Sequence, residues 1–235
     1  MLESRTDIIG TERGTQRELL TLGHGTASAD ELARLIREAA IESIVDVRTV
    51  PKSRRHPQFW REEMERWVPG QTGSAYRWEP ALGGFRKPDR NSSNVALRHP
   101  SFRAYADYME TDAFTDSLAA LLAQAAAARV AILCSETVWW RCHRRLISDA
   151  AFLLHDVRVR HLMHDGKLHP HLPTAGVRVT EAGKLRYDVL FEAEDSAQRS
   201  SGANDVRSVQ DDRKDTKQAR GSAHPGEGRG CSHRP

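Results

Sequence analysis

The stretch Arg129-Val130-Ala131-Ile132-Leu133-Cys134 decides the fold of this chain of 235 residues. Its apolar run after one charged residue predicts a buried strand. A short connection follows, and from about Arg141 to His155 apolar residues recur at the spacing of an amphipathic helix. Val157 to Met163 then supplies a further strand. This part of the chain therefore predicts a strand, a helix and a second strand in succession.

The same alternation of strands and helices runs upstream. Leu19 to Leu22 is a short apolar strand, and Ser28-Ala29-Asp30-Glu31 forms a capping box before a helical pattern. Ser43 to Arg48 predicts a second buried strand. Strands that alternate with helices favour a parallel sheet joined by right-handed crossovers. We therefore predict an α/β fold: a Rossmann-like single domain with a mostly parallel sheet flanked by helices.

Both ends of the chain differ in composition from this central part. From Glu194 to Pro235 the only large apolar side chains are Val206 and Val209. A segment this polar cannot offset the backbone entropy that folding removes. We predict a disordered N-terminal extension over 1–18, one α/β domain over 19–193 and a disordered polar tail over 194–235.

Charge and cysteine content narrow the possible classes of protein. The 35 basic and 32 acidic residues leave a net charge of +3, which is too small for a histone-like polycation. Three cysteines exclude a disulfide scaffold and fit a reducing compartment. The first twenty residues lack the apolar core of a signal peptide. We expect a cytoplasmic protein without membrane contact, and the sequence leaves both the cofactor and the oligomeric state open.

Chemistry-bearing residues follow three of the predicted strands. In parallel sheets ligands bind beyond the carboxyl ends of the strands, so residues that follow different strands can face one crevice. We expect one site there, to which the strand ends contribute the side chains of His24, Asp46, Arg48, Cys134 and Glu136.

The most informative candidates are Cys142 and His143, which are expected to open the helix that follows Cys134. A thiol in the first turn of a helix and close to arginines favours the thiolate form, the nucleophilic and metal-binding form. Glu136 and His143 are the nearby groups for proton transfer. For Cys134 a role as a small core residue is an equal alternative.

Basic residues around the same crevice predict an anionic ligand. We expect the anion, a small molecule or a nucleotide that carries phosphate, to be held by Arg48, Arg54, Arg144 and Lys87. Of the arginines at 141, 144 and 145, Arg144 is the one expected to line the crevice. Nucleic-acid binding is the alternative, because tryptophans lie among the arginines and could stack on bases.

Several specific motifs are absent or weak. Cys134 and Arg141 lie seven positions apart, whereas the phosphatase loop needs six. Gly23-His24-Gly25 lacks the third glycine of the dinucleotide fingerprint. Without paired C-x-x-C elements we assign no metal, although Cys134, Cys142, His143 and His24 remain an alternative set of ligands.

Six motifs in order carry a family resemblance: Thr21 to Thr26, Val45 to Arg48, Pro51 to Arg54, Leu82 to Pro88, Ser101 to Met109 and Cys134 to Ile147. Over roughly Thr21 to Tyr187 the chain resembles the bacterial family called domain of unknown function 488. The resemblance implies a small α/β, Rossmann-like domain and no established activity. The family's Cys-x-Glu and Cys-His-Arg elements fall on Cys134, Glu136, Cys142, His143 and Arg144.

We therefore expect a thiol-dependent enzyme that acts on an anionic, phosphate-bearing substrate. Cys142 would be the nucleophile or a ligand, and His143 and Glu136 would move protons. A nucleic-acid-binding module with structural thiols, or a Cys/His metal site, are the alternative functions.

Overall fold

The computed structural model describes residues 17–190, which fold into a six-stranded sheet with helices on both faces. The strand order is β3-β2-β4-β1-β5-β6, and every pair is parallel except β5 with β6. The predicted α/β class with its mostly parallel sheet is confirmed. These strands are β1 (Glu18–Gly23), β2 (Ser43–Asp46), β3 (Ala75–Trp78), β4 (Val130–Cys134), β5 (Arg158–Leu162) and β6 (Leu168–Pro170).

Five helices of the described chain cover the two faces of the sheet, and a separate antiparallel hairpin ends the described part. The helix α1 begins with the capping box that the sequence predicts, because Ser28 and Glu31 exchange hydrogen bonds between side chain and backbone. The helices are α1 (Ala29–Glu38), α2 (Arg61–Thr72), α3 (Pro100–Tyr108), α4 (Asp112–Ala127) and α5 (Arg144–His155); the hairpin strands are β7 (Val177–Val179) and β8 (Leu185–Tyr187).

The central strand β4 is buried along its whole length between β1 and β2. Alternate side chains of β4 point to two different cores: Ile132 packs in the core that contains α4 and α5 residues, and Leu133 packs in the core that contains α1 and α2 residues. Because β1, β2 and β4 are parallel, the residues that follow them meet at one edge of the sheet.

The start of α5 differs from the prediction. The helix begins at Arg144 with His143 as its N-cap, and Trp139–Arg141 forms a separate 3-10 turn. Cys142 therefore lies in extended backbone just before the N-cap and not in the first turn of the helix. The helix dipole acts less directly on this thiol than the sequence suggested, because its effect is concentrated in the first turn.

The predicted terminal segments lie almost entirely outside the described residues, so 1–18 and 194–235 stay predictions. Among the helices of residues 17–190, none combines the length and the apolar character needed to cross a bilayer.

Candidate active site at the carboxyl edge of the sheet

A cavity of about 460 Å³ opens at the carboxyl ends of β2 and β4. Its walls come from the loop after β2, the glycine loop that precedes α3, the start of α3 and the chain from β4 to α5. Four of the residues proposed for chemistry line it together: Cys134, Glu136, Cys142 and His143.

Two thiols and one imidazole form a compact cluster in the cavity wall. The Sγ atoms of Cys134 and Cys142 and Nδ1 of His143 all lie within 4.8 Å of one another, and all three residues are buried. Nδ1 of His143 is 3.8 Å from the sulfur of Cys134 and 3.7 Å from that of Cys142.

The hydrogen bonds of His143 fix its tautomer. Its Nε2 lies 3.1 Å from the carbonyl oxygen of Val47, which can only accept, so Nε2 carries the proton. In the neutral ring Nδ1 is then unprotonated, and its lone pair faces both sulfurs. His143 is thereby oriented to take a proton from a thiol or to bind a metal ion.

The glycine loop before α3 holds this imidazole in place. A Cβ atom on Gly84 would lie 2.6 Å from Nδ1 of His143, so only glycine allows the loop to pack against the ring. The ring also packs edge-on against buried Tyr105, with 5.1 Å between centroids. His143 therefore has little freedom to rotate away from the sulfurs.

Arg144 is fully buried and supports the cluster from behind the cavity wall. Its Nε donates to the sulfur of Cys142 at 3.4 Å, and its Nη2 donates to the carbonyl oxygen of Glu136 at 2.6 Å. None of the carboxylates in residues 17–190 pairs with this guanidinium. Within residues 17–190, the Cys142 thiol is the only acidic group in hydrogen-bond contact with it, so a thiolate there would balance its charge.

The two thiols differ in their pKa values. Burial opposes the charged form of Cys142, but Cys134, the Arg144 charge and His143 together hold the pKa of Cys142 well below its usual value. The interaction with Cys142, followed by burial, raises the pKa of Cys134 well above the usual range. Of the two sulfurs, Cys142 is therefore the one that loses its proton more readily.

Glu136 stands at the exposed side of the cluster, where the Cys134 thiol donates to its carboxylate at 3.2 Å. Loss of hydration on its inner side and the negative charge of Cys142 raise the pKa of Glu136. A carboxyl group with a raised pKa keeps its proton to higher pH and can act as a general acid.

Asp46, Arg48 and His24 meet on the opposite face of the sheet edge. Arg48 donates from Nε to Asp46 at 2.8 Å, and Tyr76 donates to the same carboxylate at 2.6 Å. Arg48 also lines the cavity, whereas Asp46 and His24 lie behind it. Asp46 is fully buried, and its carboxylate holds the Arg48 guanidinium in place.

His24 is neutral in this environment. Its ring stacks on Phe59 with 4.3 Å between centroids, and Nδ1 lies 2.9 Å from the carbonyl oxygen of Gly25. Burial and the Arg48 charge lower the pKa of His24 to about 4. Because its free Nε2 faces Arg48 at 3.4 Å, His24 helps to position that arginine and does not reach the thiols.

Three of the four residues predicted to bind the anion, Arg54, Lys87 and Arg144, do not line the cavity. Arg54 and Lys87 are exposed and do not line the cavity, because the loops that carry them turn outward. The start of α5 at Arg144 directs that side chain behind the thiols, so it is Arg141, in the preceding turn, that lines the cavity. Arg145 instead packs its guanidinium over the Phe102 ring at 4.6 Å.

A buried polar relay adjoins the site and was missed at the sequence level. Asp149 accepts from His171 at 3.0 Å, His171 from His161 at 3.1 Å, and His161 from the Thr21 hydroxyl at 2.8 Å. Thr21 in turn accepts from Nη1 of Arg144 at 3.3 Å. Burial, with His171 and Arg144, lowers the pKa of His161 to about 2, so it stays neutral.

The relay helps to fix the orientation of Arg144. The Thr21 hydroxyl donates its proton to His161, so its oxygen is free to accept from Nη1 of Arg144. Its members come from β1, α5, β5 and the chain after β6, so no local spacing relates them. The local signal in the sequence was two histidines, His161 in the otherwise apolar strand β5 and His171 after β6. This signal does not identify Thr21 or Asp149 as their hydrogen-bond partners.

Most of the tryptophans are used in packing. Trp60, Trp67 and Trp78 are half-buried and donate to backbone carbonyls of Ser53, Gln58 and Arg48. Trp139 stacks on His161 with 4.0 Å between ring centroids. Among the described residues, Trp140 is the tryptophan that remains exposed.

Comparison with known protein families gives a match. A family model described as Domain of unknown function DUF488 matches residues 28–151, which is more than half of the chain. The match includes Asp46, Arg48 and the whole cluster from Cys134 to Arg144, and it leaves out His24 and the two relay histidines. Neither the curated proteins nor the solved structures gave a match.

Proposed function

The chain belongs to the DUF488 family, whose description names no activity, and on that premise we propose from the site that it is a thiol-dependent enzyme. The Cys142 thiolate is the nucleophile, and the substrate is an anionic, phosphate-bearing molecule that enters the cavity beside it. The residues that this proposal uses, Cys134 to Arg144, all lie inside the segment 28–151 that the family model matches.

The observation that carries this proposal is the buried Arg144 guanidinium. A buried charge is costly unless it is paired, and the thiolate of Cys142 is the anion that Arg144 contacts, at 3.4 Å. Cys142 is also among the residues that line a cavity which a substrate can enter. A stabilised thiolate at a cavity wall is the arrangement that nucleophilic cysteine chemistry requires.

Two neighbouring groups supply the proton transfers. Nδ1 of His143, 3.7 Å from the sulfur, accepts the proton whenever Cys142 is in its thiol form. The sulfur then attacks an electrophilic atom of the substrate, and the bond from that atom to its leaving group breaks. Glu136, with its raised pKa, gives the leaving group a proton.

The pH dependence of Cys142 alkylation tests this proposal. Iodoacetamide modification of the full chain, measured for each cysteine by peptide mass spectrometry from pH 5 to 9, should show a Cys142 rate that persists below pH 7. Glutathione is the reference thiol, and its rate should fall about tenfold for each pH unit below its pKa. Cys134, whose pKa is raised, should react only at high pH. A Cys142 profile that coincides with that of glutathione contradicts the proposal.

A second candidate function, a metal centre, is favoured by the geometry of the ligand atoms. Tetrahedral zinc with Zn–S of about 2.3 Å and Zn–N of about 2.0 Å places sulfur and nitrogen ligands roughly 3.5 Å apart. The His143 nitrogen lies 3.7 and 3.8 Å from the two sulfurs, and its other nitrogen donates to Val47 as ligand histidines commonly do. Three protein ligands beside a cavity match a catalytic rather than a structural zinc site.

Elemental analysis of the purified full chain tests this second candidate. This second candidate predicts about one zinc per chain, lost on Cys142→Ser or His143→Gln and retained on Cys231→Ser, a cysteine outside the described residues. Zinc content near zero after expression in zinc-supplemented medium would leave Cys142 as a free nucleophile. His24, which the sequence offered as a fourth ligand, is not part of the ligand cluster.

A further inference from the structure

Three of the most exposed apolar side chains in the described chain line the same cavity. Phe85 is 78% exposed, Val50 64% and Trp140 49%. Large apolar side chains that gather at the mouth of one cavity mark a ligand site more often than a random surface. Two of the three are aromatic, which suits a planar ligand group.

Trp140 is held as a fixed platform. It lies in the 3-10 turn Trp139–Arg141, and its ring is perpendicular to that of Trp139, with 5.7 Å between centroids. Trp139 is in turn stacked on His161 of the buried relay. Since its neighbour is anchored in the protein interior, the exposed indole of Trp140 is supported from one side.

Arg141 is a cavity-lining arginine whose guanidinium has no partner among the described residues. Its side chain is exposed, lines the cavity and forms no hydrogen bond or ion pair with any residue of the range 17–190. The other arginines nearby are engaged: Arg48 with Asp46, Arg144 with Cys142, and Arg145 with Phe102. An unpaired guanidinium beside an aromatic platform can hold a phosphate while the ring holds a base.

We propose that this cavity binds a nucleoside monophosphate, with the base against Trp140 and Phe85 and the phosphate at Arg141. The inference rests on the proposed function and specifies its substrate class. A volume of about 460 Å³ lies in the range of small-molecule sites and accommodates one nucleotide. The ligand would lie beside Cys142, which lines the same cavity.

Calorimetry on the full chain tests the assignment with AMP, adenosine and ribose 5-phosphate as probes. AMP is expected to bind at least about tenfold more tightly than either fragment, because it engages the aromatic platform and the arginine together. If adenosine binds as tightly as AMP, the phosphate contact with Arg141 is wrong. If ribose 5-phosphate binds as tightly as AMP, the base contact with Trp140 and Phe85 is wrong. An oligonucleotide that binds more than tenfold more tightly than AMP would overturn the small-molecule ligand in favour of a nucleic-acid strand.

Variants separate the two contacts. Trp140→Ala and Phe85→Ala should each weaken AMP binding at least about fivefold and leave ribose 5-phosphate unchanged, since stacking contributes roughly 1–3 kcal/mol for each base. Arg141→Met should weaken AMP and ribose 5-phosphate and spare adenosine. The matched controls are Phe152→Ala, an exposed aromatic outside the cavity, and Arg54→Met, an exposed arginine outside it; both should bind AMP like the unmodified chain. Cavity variants that behave like these controls would overturn the proposal.

A last measurement distinguishes failure of this inference from failure of the thiol proposal. Saturating AMP should slow iodoacetamide modification of Cys142 at least about fivefold, because both occupy one cavity. AMP that binds without protecting Cys142 lies elsewhere and overturns the inference. The pH profile of Cys142 without AMP does not depend on this result, so the two proposals can fail separately.

Discussion

Replacement of Arg144 by methionine is expected to lower the reactivity of Cys142 below pH 7 by an order of magnitude or more. The guanidinium that donates to the sulfur at 3.4 Å is then gone, so burial, which raises the pKa of Cys142, is opposed only by Cys134 and His143. Each unit of increase lowers the thiolate fraction about tenfold, and we expect the alkylation rate at pH 6 to fall by an order of magnitude or more.

The same substitution should also lower the stability of the fold. The carbonyl of Glu136 and the hydroxyl of Thr21 lose their donor, and a buried group left unsatisfied costs about 1–3 kcal/mol. Denaturant unfolding and the alkylation profile separate the two effects. Arg144→Lys is the matched control: it keeps the charge but not the fork of donors, and it should retain part of the reactivity. Unchanged reactivity in the methionine variant would mean that another group stabilises the thiolate.

Gly23→Ala is expected to be the most destabilising change of a single methyl group in the site. A Cβ atom on Gly23 would lie 1.7 Å from the carbonyl oxygen of Glu136 and 2.8 Å from Nη2 of Arg144. The obstacle is backbone, so the loop after β4 must move away from β1. Overpacking of this kind costs about 1–3 kcal/mol or more, which for a domain of this size lowers the melting temperature by roughly 2–12 °C.

Gly70→Ala is the matched control for this prediction. Gly70 lies inside α2 with nothing within 4 Å of its would-be Cβ atom, so alanine there should stabilise the helix by about 0.5–1 kcal/mol. The same added methyl group should therefore lower the stability of the fold at Gly23 and raise it at Gly70. A thermal unfolding scan checks both, and a Gly23→Ala protein as stable as the parent would show that the loop from Ser135 to Thr137 yields easily.

Gly23 and Gly25 also explain a motif that the sequence left ambiguous. Their backbone accepts close contact from the loop after β4: Gly25 donates to the carbonyl of Ser135 at 2.8 Å, and its Cβ atom would lie 1.9 Å from Thr137 Oγ1. The glycines therefore allow the end of β1 to pack closely against the loop after β4. They do not form a dinucleotide-binding loop, as the missing third glycine indicated.

Local pattern was sufficient for the elements of the fold. The apolar run that ends at Cys134, the capping box at Ser28 and the strand before Arg48 each depend on neighbours in sequence, so their class could be read without tertiary contacts. Cys134, Glu136, Cys142 and His143 lie within one stretch of the chain at the end of β4 and after it, so sequence proximity already brings them near one another. The parallel order of β2 and β4 adds Arg48 to the same cavity, whereas His24 and Asp46 lie behind it.

Roles of individual cations were beyond the reach of the sequence. A difference of three residues in where α5 begins places Arg144 behind the thiols and leaves Arg141 at the cavity, because each residue turns a helix by about 100°. Arg54 and Lys87 have the charge expected of anion ligands, but their loops direct them to solvent.

What the sequence alone determined is the α/β architecture and the strand ends at which chemistry can occur, since both follow from periodicity and from the geometry of parallel sheets. Tertiary structure alone decided which charges meet. The relay from Thr21 through His161 and His171 to Asp149 joins residues up to 140 positions apart. Arg144 and Cys142 are only two positions apart, but the contact between them depends on where α5 begins. Such contacts depend on side-chain direction and packing distance, which no local pattern encodes.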